Sequence, residues 1–210
     1  AYTFNIIDYP NDTIKKHKKP TPYLGGAAVY LSYLMTLGLV FPFNNDFLLF
    51  LVGSSLLFYI GLIDDLTPLR PGQKFVGQLI AVFCFLKAGF YLKAHIFSNI
   101  WHIPISAFWI LIIINAFNLI DIMDGLASIT ALWSSLGFLI IAFLMQEYTV
   151  ALLILAFMGA ICAFLKFNKP PAQIYLGDAG SLFIGGFLGT MPFLFNWGML
   201  SWYGFLIPII

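Results

Sequence analysis

The sequence is poor in charge. Lys, Arg, Asp and Glu make up 9% of its 210 residues, and 61% of the residues are hydrophobic, whereas a soluble domain is about 25% charged. The formal net charge is only +1, and there is no long basic segment, so a nucleic-acid partner is not indicated. The composition therefore indicates an integral membrane protein.

Several familiar signatures are also missing. The two cysteines, Cys84 and Cys162, lie far apart inside apolar runs, so neither a disulfide framework nor a cysteine-based metal site is indicated. The sequence has no Walker loop, no GxGxxG motif and no Ser/His/Asp arrangement. The chemistry must come from the few acidic, basic and amide side chains that interrupt the apolar sequence.

Seven apolar runs predict an all-α, polytopic transmembrane bundle of about seven spanning helices in a single domain over residues 1–210. Most are close to the ~20 residues that a spanning helix needs. The runs cover about residues 23–43, 46–63, 75–93, 100–120, 126–146, 148–167 and 182–210.

Counting helices places most of the basic residues on one side of the membrane, and the positive-inside rule makes that side cytoplasmic. The acidic residues outside the N-terminal tail divide in the same way. Only Asp46 and Glu147 fall on the opposite side, against Asp64, Asp65, Asp121, Asp124 and Asp178 on the cytoplasmic side. Solvation alone would not concentrate acids on one face, so we expect an active site there.

Four polar side chains recur at every third position after the apolar run 103–114. They are Asn115, Asn118, Asp121 and Asp124. Each three-residue step places the next side chain about 60° further around the helix, so a single straight helix could not present all four on one face. We expect the helix to end near Asp121, with Gly125 permitting a turn. Carboxylates are costly to bury in the bilayer, so Asp121 and Asp124 beside a long apolar run predict an aqueous boundary, a metal or a cationic ligand.

Adjacent carboxylates, Asp64 and Asp65, follow the second apolar run. On an irregular turn they could present several oxygens to one hard cation, since magnesium usually takes only one or two carboxylates plus phosphate oxygens. Lys74 and Gln78 share a face of the next helix. Lys74 either binds a phosphate or extends its ammonium to water at the membrane interface.

The segment 168–181 predicts a loop followed by a helix. Gly177 and Gly180 would let the backbone approach a ligand, and the first free N–H groups of the helix could face an anion. Asp178 is either a ligand or the N-cap of that helix. Tyr175 could stack on a nucleotide base.

Taken together, four segments resemble the polyprenyl-phosphate N-acetylhexosamine-1-phosphate transferases. The segments are 17–26, 61–65 with Lys74 and Gln78, 115–125, and 168–181. The resemblance implies transfer of a sugar 1-phosphate from a UDP-sugar to undecaprenyl phosphate in the inner membrane, with release of UMP. It implies Mg²⁺ as cofactor, with Mn²⁺ as the alternative, and the family includes homodimers.

The resemblance also implies roles for individual residues. Asp178 and Asp64 would be metal ligands, and the catalytic carboxylates would be Asp64, Asp65, Asp121 and Asp124. The substrate-binding side chains would be Asn115, Asn118, Lys74, Asn168, Tyr175 and Lys19.

Local sequence differences bear on the substrate. Enzymes that transfer phospho-N-acetylmuramoyl-pentapeptide usually have Thr-Met where this chain has Tyr23-Leu24, and carry a lysine soon after the Asp pair. We therefore expect N-acetylglucosamine 1-phosphate to be the group transferred, with the muramoyl-pentapeptide as the alternative. A lipid-phosphate transporter is a weaker alternative, because transporters tend to place such groups near the midplane between related halves.

Two departures from the family pattern remain. Ile122 occupies a place that glycine usually holds. The family also has a helix before the first segment and further helices with a His-rich loop after the last, and we expect this chain to lack them.

Overall fold

Seven α-helices carry most of the described chain. The structure, a computed structural model, describes residues 7–8, 21–41, 45–92 and 99–195, so the predicted ligand Lys19 lies outside the described residues. The helices are α1 (Gly25–Val40), α2 (Asn45–Leu66), α3 (Pro71–Lys87), α4 (Asn99–Ile120), α5 (Leu126–Leu144), α6 (Tyr148–Asn168) and α7 (Gly177–Thr190). A 3₁₀ turn, Met191–Leu194, follows α7, and strands β1 (Ile7–Asp8) and β2 (Thr21–Pro22) pair antiparallel.

Four of these helices are long and apolar enough to cross a membrane. The qualifying segments are Phe47–Leu66, Ile100–Ile120, Leu126–Leu144 and Tyr148–Asn168. The other three helices are shorter, with 16 residues in α1, 17 in α3 and 14 in α7. The predicted helical membrane architecture is confirmed, and the described residues hold seven α-helices. That about seven helices span the membrane stays a prediction, because four of those described are long enough.

Local sequence explains several helix boundaries. Pro71 occupies the first turn of α3, where its missing N–H costs nothing, and the Gln73 side chain accepts a hydrogen bond from the Arg70 N–H at 3.1 Å. Helix α4 ends at Ile120, and Gly125 adopts a positive φ of 76° before α5. The predicted helix end near Asp121 and the turn at Gly125 are both confirmed.

Helix α7 lies at the centre of the bundle and packs against α1, α2, α4 and α5. All its residues from Ala179 to Thr190 are buried. Phe187 stacks on Phe157 of α6, with ring centroids 3.9 Å apart. The α1 crossing is close enough that a methyl group on Gly26 would overlap the backbone of Gly180. This packing fixes the start of α7 against the ends of its neighbours.

Two predicted details are wrong. Helix α2 continues through Asp64 and Asp65 to Leu66 instead of ending in an irregular turn before them. Helix α7 begins at Gly177, so Asp178 lies in its first turn and is not the N-cap. Carboxylates are normally disfavoured at a helix C-terminus, but the end of α2 meets the N-terminus of α7, whose N–H groups offset that cost.

Candidate active site

The polar side chains predicted from the sequence gather at one end of the bundle. The chain alternates in direction, so α2, α4 and α6 end there, and α3, α5 and α7 begin there. Backbone hydrogen bonds also hold the segment before α1 at this end. Gly25 N–H donates to the Tyr175 carbonyl at 3.0 Å, and Tyr175 N–H donates to the Pro22 carbonyl at 2.8 Å. The first and last resembling segments are thereby joined.

Lys74 occupies the middle of the acidic cluster. Its Nζ lies 2.9 Å from Asp64 Oδ2 and 2.5 Å from Asp178 Oδ2, and it donates to Asn118 Oδ1 at 3.3 Å. The side chains of Lys74, Asp64 and Asp178 are 18%, 13% and 32% exposed, so these ion pairs are partly shielded from water. The Lys74 ammonium is therefore paired with carboxylates and is not extended to water, and phosphate binding by Lys74 stays a prediction.

Asn118 orients Asp178. Its Nδ2 donates to Asp178 Oδ1 at 2.7 Å and to Ser181 Oγ at 3.0 Å. Both oxygens of Asp178 are thereby engaged, one by Asn118 and the other by Lys74. Ser181 was not predicted as a site residue, although its position one helical turn after Asp178 could have indicated it.

Asp65 faces away from Lys74 and binds the first turn of α7. Its Oδ1 accepts from the Asp178 N–H at 2.8 Å, and its Oδ2 accepts from the Ala179 N–H at 3.0 Å. Asp64, the preceding residue, instead accepts from the Leu69 N–H at 2.6 Å through Oδ1 while its Oδ2 faces Lys74. The adjacent carboxylates therefore have different partners.

Asp121 and Asp124 line the turn after α4. Burial raises the pKa of Asp121 to about 8, with further contributions from the nearby charges of Asp178, Asp65 and Asp124, and the Gly177 N–H opposes this rise by donating to the carboxylate. Asp124 Oδ2 accepts from the Ala172 N–H at 3.0 Å. Asp124 therefore fixes the loop that leads to α7.

Asn168 is buried and joins three segments. Its Oδ1 accepts from the Gly125 N–H at 3.0 Å and from Ser128 Oγ at 3.3 Å, while its Nδ2 donates to the Ile174 carbonyl at 3.0 Å. Its amide is thus engaged by the protein on both sides. Contact of Asn168 with a nucleotide stays a prediction, as does stacking by the half-buried Tyr175.

Asn115 pairs with Gln78 one turn deeper in the bundle. Asn115 Nδ2 donates to Gln78 Oε1 at 3.0 Å, and Gln78 Nε2 donates to Asn115 Oδ1 at 3.3 Å. This reciprocal pair fixes α3 against α4, which sets Lys74 opposite Asn118. A substrate-binding role for Asn115 stays a prediction.

Oxygen atoms of two carboxylates and one amide surround the Lys74 ammonium. Within the described ranges no three Asp, Glu, His or Cys side chains come together in a way that could hold a metal. Two carboxylates, Asp64 and Asp178, and the amide oxygen of Asn118 converge on the Lys74 ammonium. Mg²⁺ usually takes one or two carboxylates and completes its shell with water and substrate phosphate oxygens, so a set with few carboxylates suits it.

Comparison with known proteins gives the family. The model for "Glycosyl transferase family 4" matches residues 47–196. A phospho-N-acetylmuramoyl-pentapeptide-transferase of Wolbachia pipientis wMel is 33% identical, over 87% of this chain and 63% of the relative. One of Lactococcus lactis subsp. cremoris (strain MG1363) is 34% identical, over 90% of this chain and 65% of the relative. The chain thus spans less than two thirds of the length of these relatives. The resemblance predicted from the four segments is confirmed: the chain belongs to glycosyl transferase family 4.

Proposed function

We propose that this protein transfers phospho-N-acetylmuramoyl-pentapeptide from a UDP-linked donor to a polyprenyl phosphate, with release of UMP. The relatives named phospho-N-acetylmuramoyl-pentapeptide-transferase match 87% and 90% of this chain. The N-acetylglucosamine donor expected from the sequence rested on a few local differences, chiefly Tyr23-Leu24. Similarity over the whole chain is the stronger evidence, so the muramoyl-pentapeptide alternative is now preferred.

One observation supports the chemistry most directly: the ammonium of Lys74 lies between the carboxylates of Asp64 and Asp178. A phosphoryl-transfer site must attract anionic substrates and also hold a cation that offsets their charge. Lys74 can supply the fixed positive charge, and Asp64 and Asp178 can supply cation ligands. The arrangement joins both requirements within one cluster.

The oxygens of Asp64, Asp178 and Asn118 would hold Mg²⁺. When bound, Mg²⁺ supplies charge neutralisation for a diphosphate and for the phosphate that leaves. Asn118 would orient the Asp178 carboxylate for this task. A phosphate monoester has its second pKa near 6 and is mostly dianionic at neutral pH. The carboxylates would therefore serve electrostatics more than proton removal from the acceptor.

We also place this site at the cytoplasmic face of the inner membrane. Arg70, Lys74, Lys166 and Lys169 lie at or beside the site end of their helices, whereas Lys87 lies at the opposite end of α3. This asymmetry follows the positive-inside rule. A cytoplasmic site would also have access to a soluble nucleotide-linked donor.

The direct test is UMP release by the purified protein in lipid or detergent, with undecaprenyl phosphate and Mg²⁺. UDP-N-acetylmuramoyl-pentapeptide and UDP-N-acetylglucosamine would be compared as donors. We expect release from the first donor only, dependent on lipid and metal, and a loss of about 100-fold or more in Asp178→Asn. Glu147→Gln, at the opposite end of the bundle, is the matched control and should keep full activity.

The outcomes separate the alternatives. Release from UDP-N-acetylglucosamine alone would restore the donor expected from the sequence. Release that persists in Asp178→Asn would remove the cluster around Lys74 from the chemistry. Absence of UMP release from both donors would contradict the proposed function.

A further inference from the structure

We propose that Asp65 is a positioning residue: its carboxylate caps helix α7 from helix α2 and thereby places Asp178 against Lys74 and Asn118. This inference rests on the proposed function, because it assigns Asp65 a part in building the cation site. It replaces the role of catalytic carboxylate that the sequence resemblance implies for Asp65.

The contact has the geometry of a helix cap supplied by another helix. The first N–H groups of a helix have no partner inside it, and Leu176, at the N-cap position of α7, has no polar side chain to offer. Asp65 gives one oxygen to the Asp178 N–H at 2.8 Å and the other to the Ala179 N–H at 3.0 Å. Both are charge-assisted hydrogen bonds, and the N-terminus of a helix favours negative charge.

The backbone around this contact is shaped for close approach. Gly177 has a positive φ of 73°, and a methyl group there would lie 2.7 Å from Asp65 Oδ2. One turn before Asp65 on α2, a methyl group on Gly61 would overlap the carbonyl of Asp178. Glycine at both positions lets the end of α2 and the start of α7 meet directly.

The cap acts on the residue that matters most for the site. The N–H that Asp65 binds belongs to Asp178 itself, and the carboxylate of Asp178 contacts Lys74 and Asn118. Asp178 is therefore held at its backbone by α2 and at its side chain by α3 and α4. If Asp65 no longer bound the Asp178 N–H, the Asp178 carboxylate could move away from Asn118 and Lys74.

The same contact changes one expectation from the sequence. The N–H groups at the start of α7 were expected to face an anionic ligand, but those of Asp178 and Ala179 bind the Asp65 carboxylate. A substrate phosphate would therefore depend on Lys74 and the cation for binding. Both oxygens of Asp65 are directed at backbone N–H groups, which is the arrangement of a structural anchor.

The first experiment tests the hydrogen bonds between Asp65 and helix α7 in the purified full chain. Hydrogen exchange of the Asp178 and Ala179 amides reports the cap. In Asp65→Asn the single side-chain oxygen cannot accept both hydrogen bonds as the carboxylate does. We therefore expect exchange to quicken about ten-fold or more at one or both amides. Asp64→Asn should leave this exchange unchanged.

Mn²⁺ binding in the absence of any substrate reports the positioning. We expect Asp65→Asn to bind Mn²⁺ about 10- to 100-fold more weakly, as is typical when a group that orients a metal ligand is lost. The pH dependence of the residual kcat should keep the wild-type shape, because Asp65 does not take a proton from substrate in this scheme.

A second variant covers the case in which Asp65→Asn fails to fold. Gly177→Ala keeps the carboxylate but forces it away from α7, so it should weaken Mn²⁺ binding in the same way. Gly89→Ala is its matched control, because Gly89 also has a positive φ, of 89°, but has open space around it. The control measures the cost of the backbone conformation alone, far from the site.

The results distinguish this inference from the proposed function. Unchanged amide exchange in Asp65→Asn, or Mn²⁺ affinity in Gly177→Ala equal to that of Gly89→Ala, would overturn the positioning role. A lost kcat with normal Mn²⁺ affinity would also overturn it, since Asp65 would then act on the substrate. Wild-type protein that shows protected amides but binds no Mn²⁺ would instead count against the proposed function.

Discussion

Lys74 shows how one side chain can join three helices. Its ammonium contacts Asp64 of α2, Asn118 of α4 and Asp178 of α7. Removing one partner of a shielded ion pair leaves uncompensated charge, and here two carboxylates would be left facing each other. Repulsion between these two carboxylates would destabilise the contact between the end of α2 and the start of α7.

We expect Lys74→Met to lower the stability of the metal-free protein by about 1 to 3 kcal/mol, a range reduced for the partial exposure of the cluster. Mg²⁺ should recover part of this loss, because a cation can replace the missing ammonium. Thermal unfolding in detergent, with EDTA and then with Mg²⁺, measures both effects. The exposed Lys166→Met serves as control. A loss of stability that Mg²⁺ does not reduce would argue against cation binding by Asp64 and Asp178.

Asp121 predicts a pH dependence of stability. Its pKa is about 8 in the folded protein and about 3.9 in an unfolded chain. The folded state therefore binds the proton more tightly, and the free energy of unfolding falls as pH rises from about 4 to about 8. In metal-free protein, Asp121→Asn should match wild type at about pH 4 or below and unfold at a higher temperature near pH 9. Glu147→Gln should follow wild type, and an identical pH response in Asp121→Asn would contradict the prediction.

At the scale of single residues, polar interruptions in apolar sequence were sufficient to find the cluster. Asp64, Asp178, Asn118 and Lys74 could be named in this way because burying such groups without partners is costly. Their pairing could not be predicted. Asp64 and Asp65 are neighbours in sequence, but the helical continuation of α2 points them in different directions, and only the packed structure shows which one faces Lys74.

At the scale of elements, glycine determines how closely α7 approaches its neighbours. Gly26→Ala on α1 would place a methyl group against the backbone of Gly180, whereas the same change at Gly38 on the same helix meets nothing within 4 Å. Overpacking costs about 1 to 3 kcal/mol. Alanine in an exposed helical position instead stabilises by about 0.5 to 1 kcal/mol.

We therefore expect opposite effects from two chemically identical substitutions. Gly26→Ala should lower the thermal midpoint and the yield of folded protein, and Gly38→Ala should leave both unchanged or slightly higher. Size-exclusion profiles and thermal unfolding in the same detergent would measure the difference. Equal effects at the two positions would mean that the α1 and α7 crossing is not closely packed.

Element boundaries could be predicted where the signal was local. Gly125 supplies a positive φ at the predicted turn. Pro71 is also a local signal, for the start of α3, although the predicted apolar run began only at about residue 75. The end of α2 and the start of α7 could not be placed, because each depends on the other. The acidic end of α2 is stabilised by N–H groups of α7, and those N–H groups find their acceptor on α2. No window of sequence contains both partners.

At the scale of the whole molecule, orientation in the membrane can be tested with cysteine. In a background with Cys84 and Cys162 replaced by alanine, Gln173→Cys lies in the loop beside the site, and Glu147→Cys lies between α5 and α6 at the other end. We expect a membrane-impermeant maleimide to label Glu147→Cys in intact cells. Gln173→Cys should be labelled only in inside-out vesicles, because the basic end is proposed to face the cytoplasm.

Both positions should react after solubilisation in detergent, which controls for accessibility. Labelling of Gln173→Cys in intact cells would place the site on the outer face. Such a result would contradict the proposed access of a cytoplasmic donor.

The helical character of the described residues could be predicted from the sequence, but the arrangement of the helices could not. Runs that face lipid and runs that face the protein core are both apolar all round, so α7 could not be distinguished as the central helix. The signal was present only indirectly, in the glycines that allow close approach at Gly180 and Gly185. Their partners, Gly26 on α1 and Ile114 on α4, become apparent only in the packed structure.

The burial of α7 has a consequence for how the protein responds to its membrane. With 14 residues, α7 is about 21 Å long, shorter than the roughly 30 Å hydrocarbon core of a bilayer. Its side chains from Ala179 onwards contact protein, so it has no lipid-facing length to match. Hydrophobic mismatch in a thicker or thinner bilayer would act on the outer helices by tilting them. It would reach Asp178 only through the helices packed around α7.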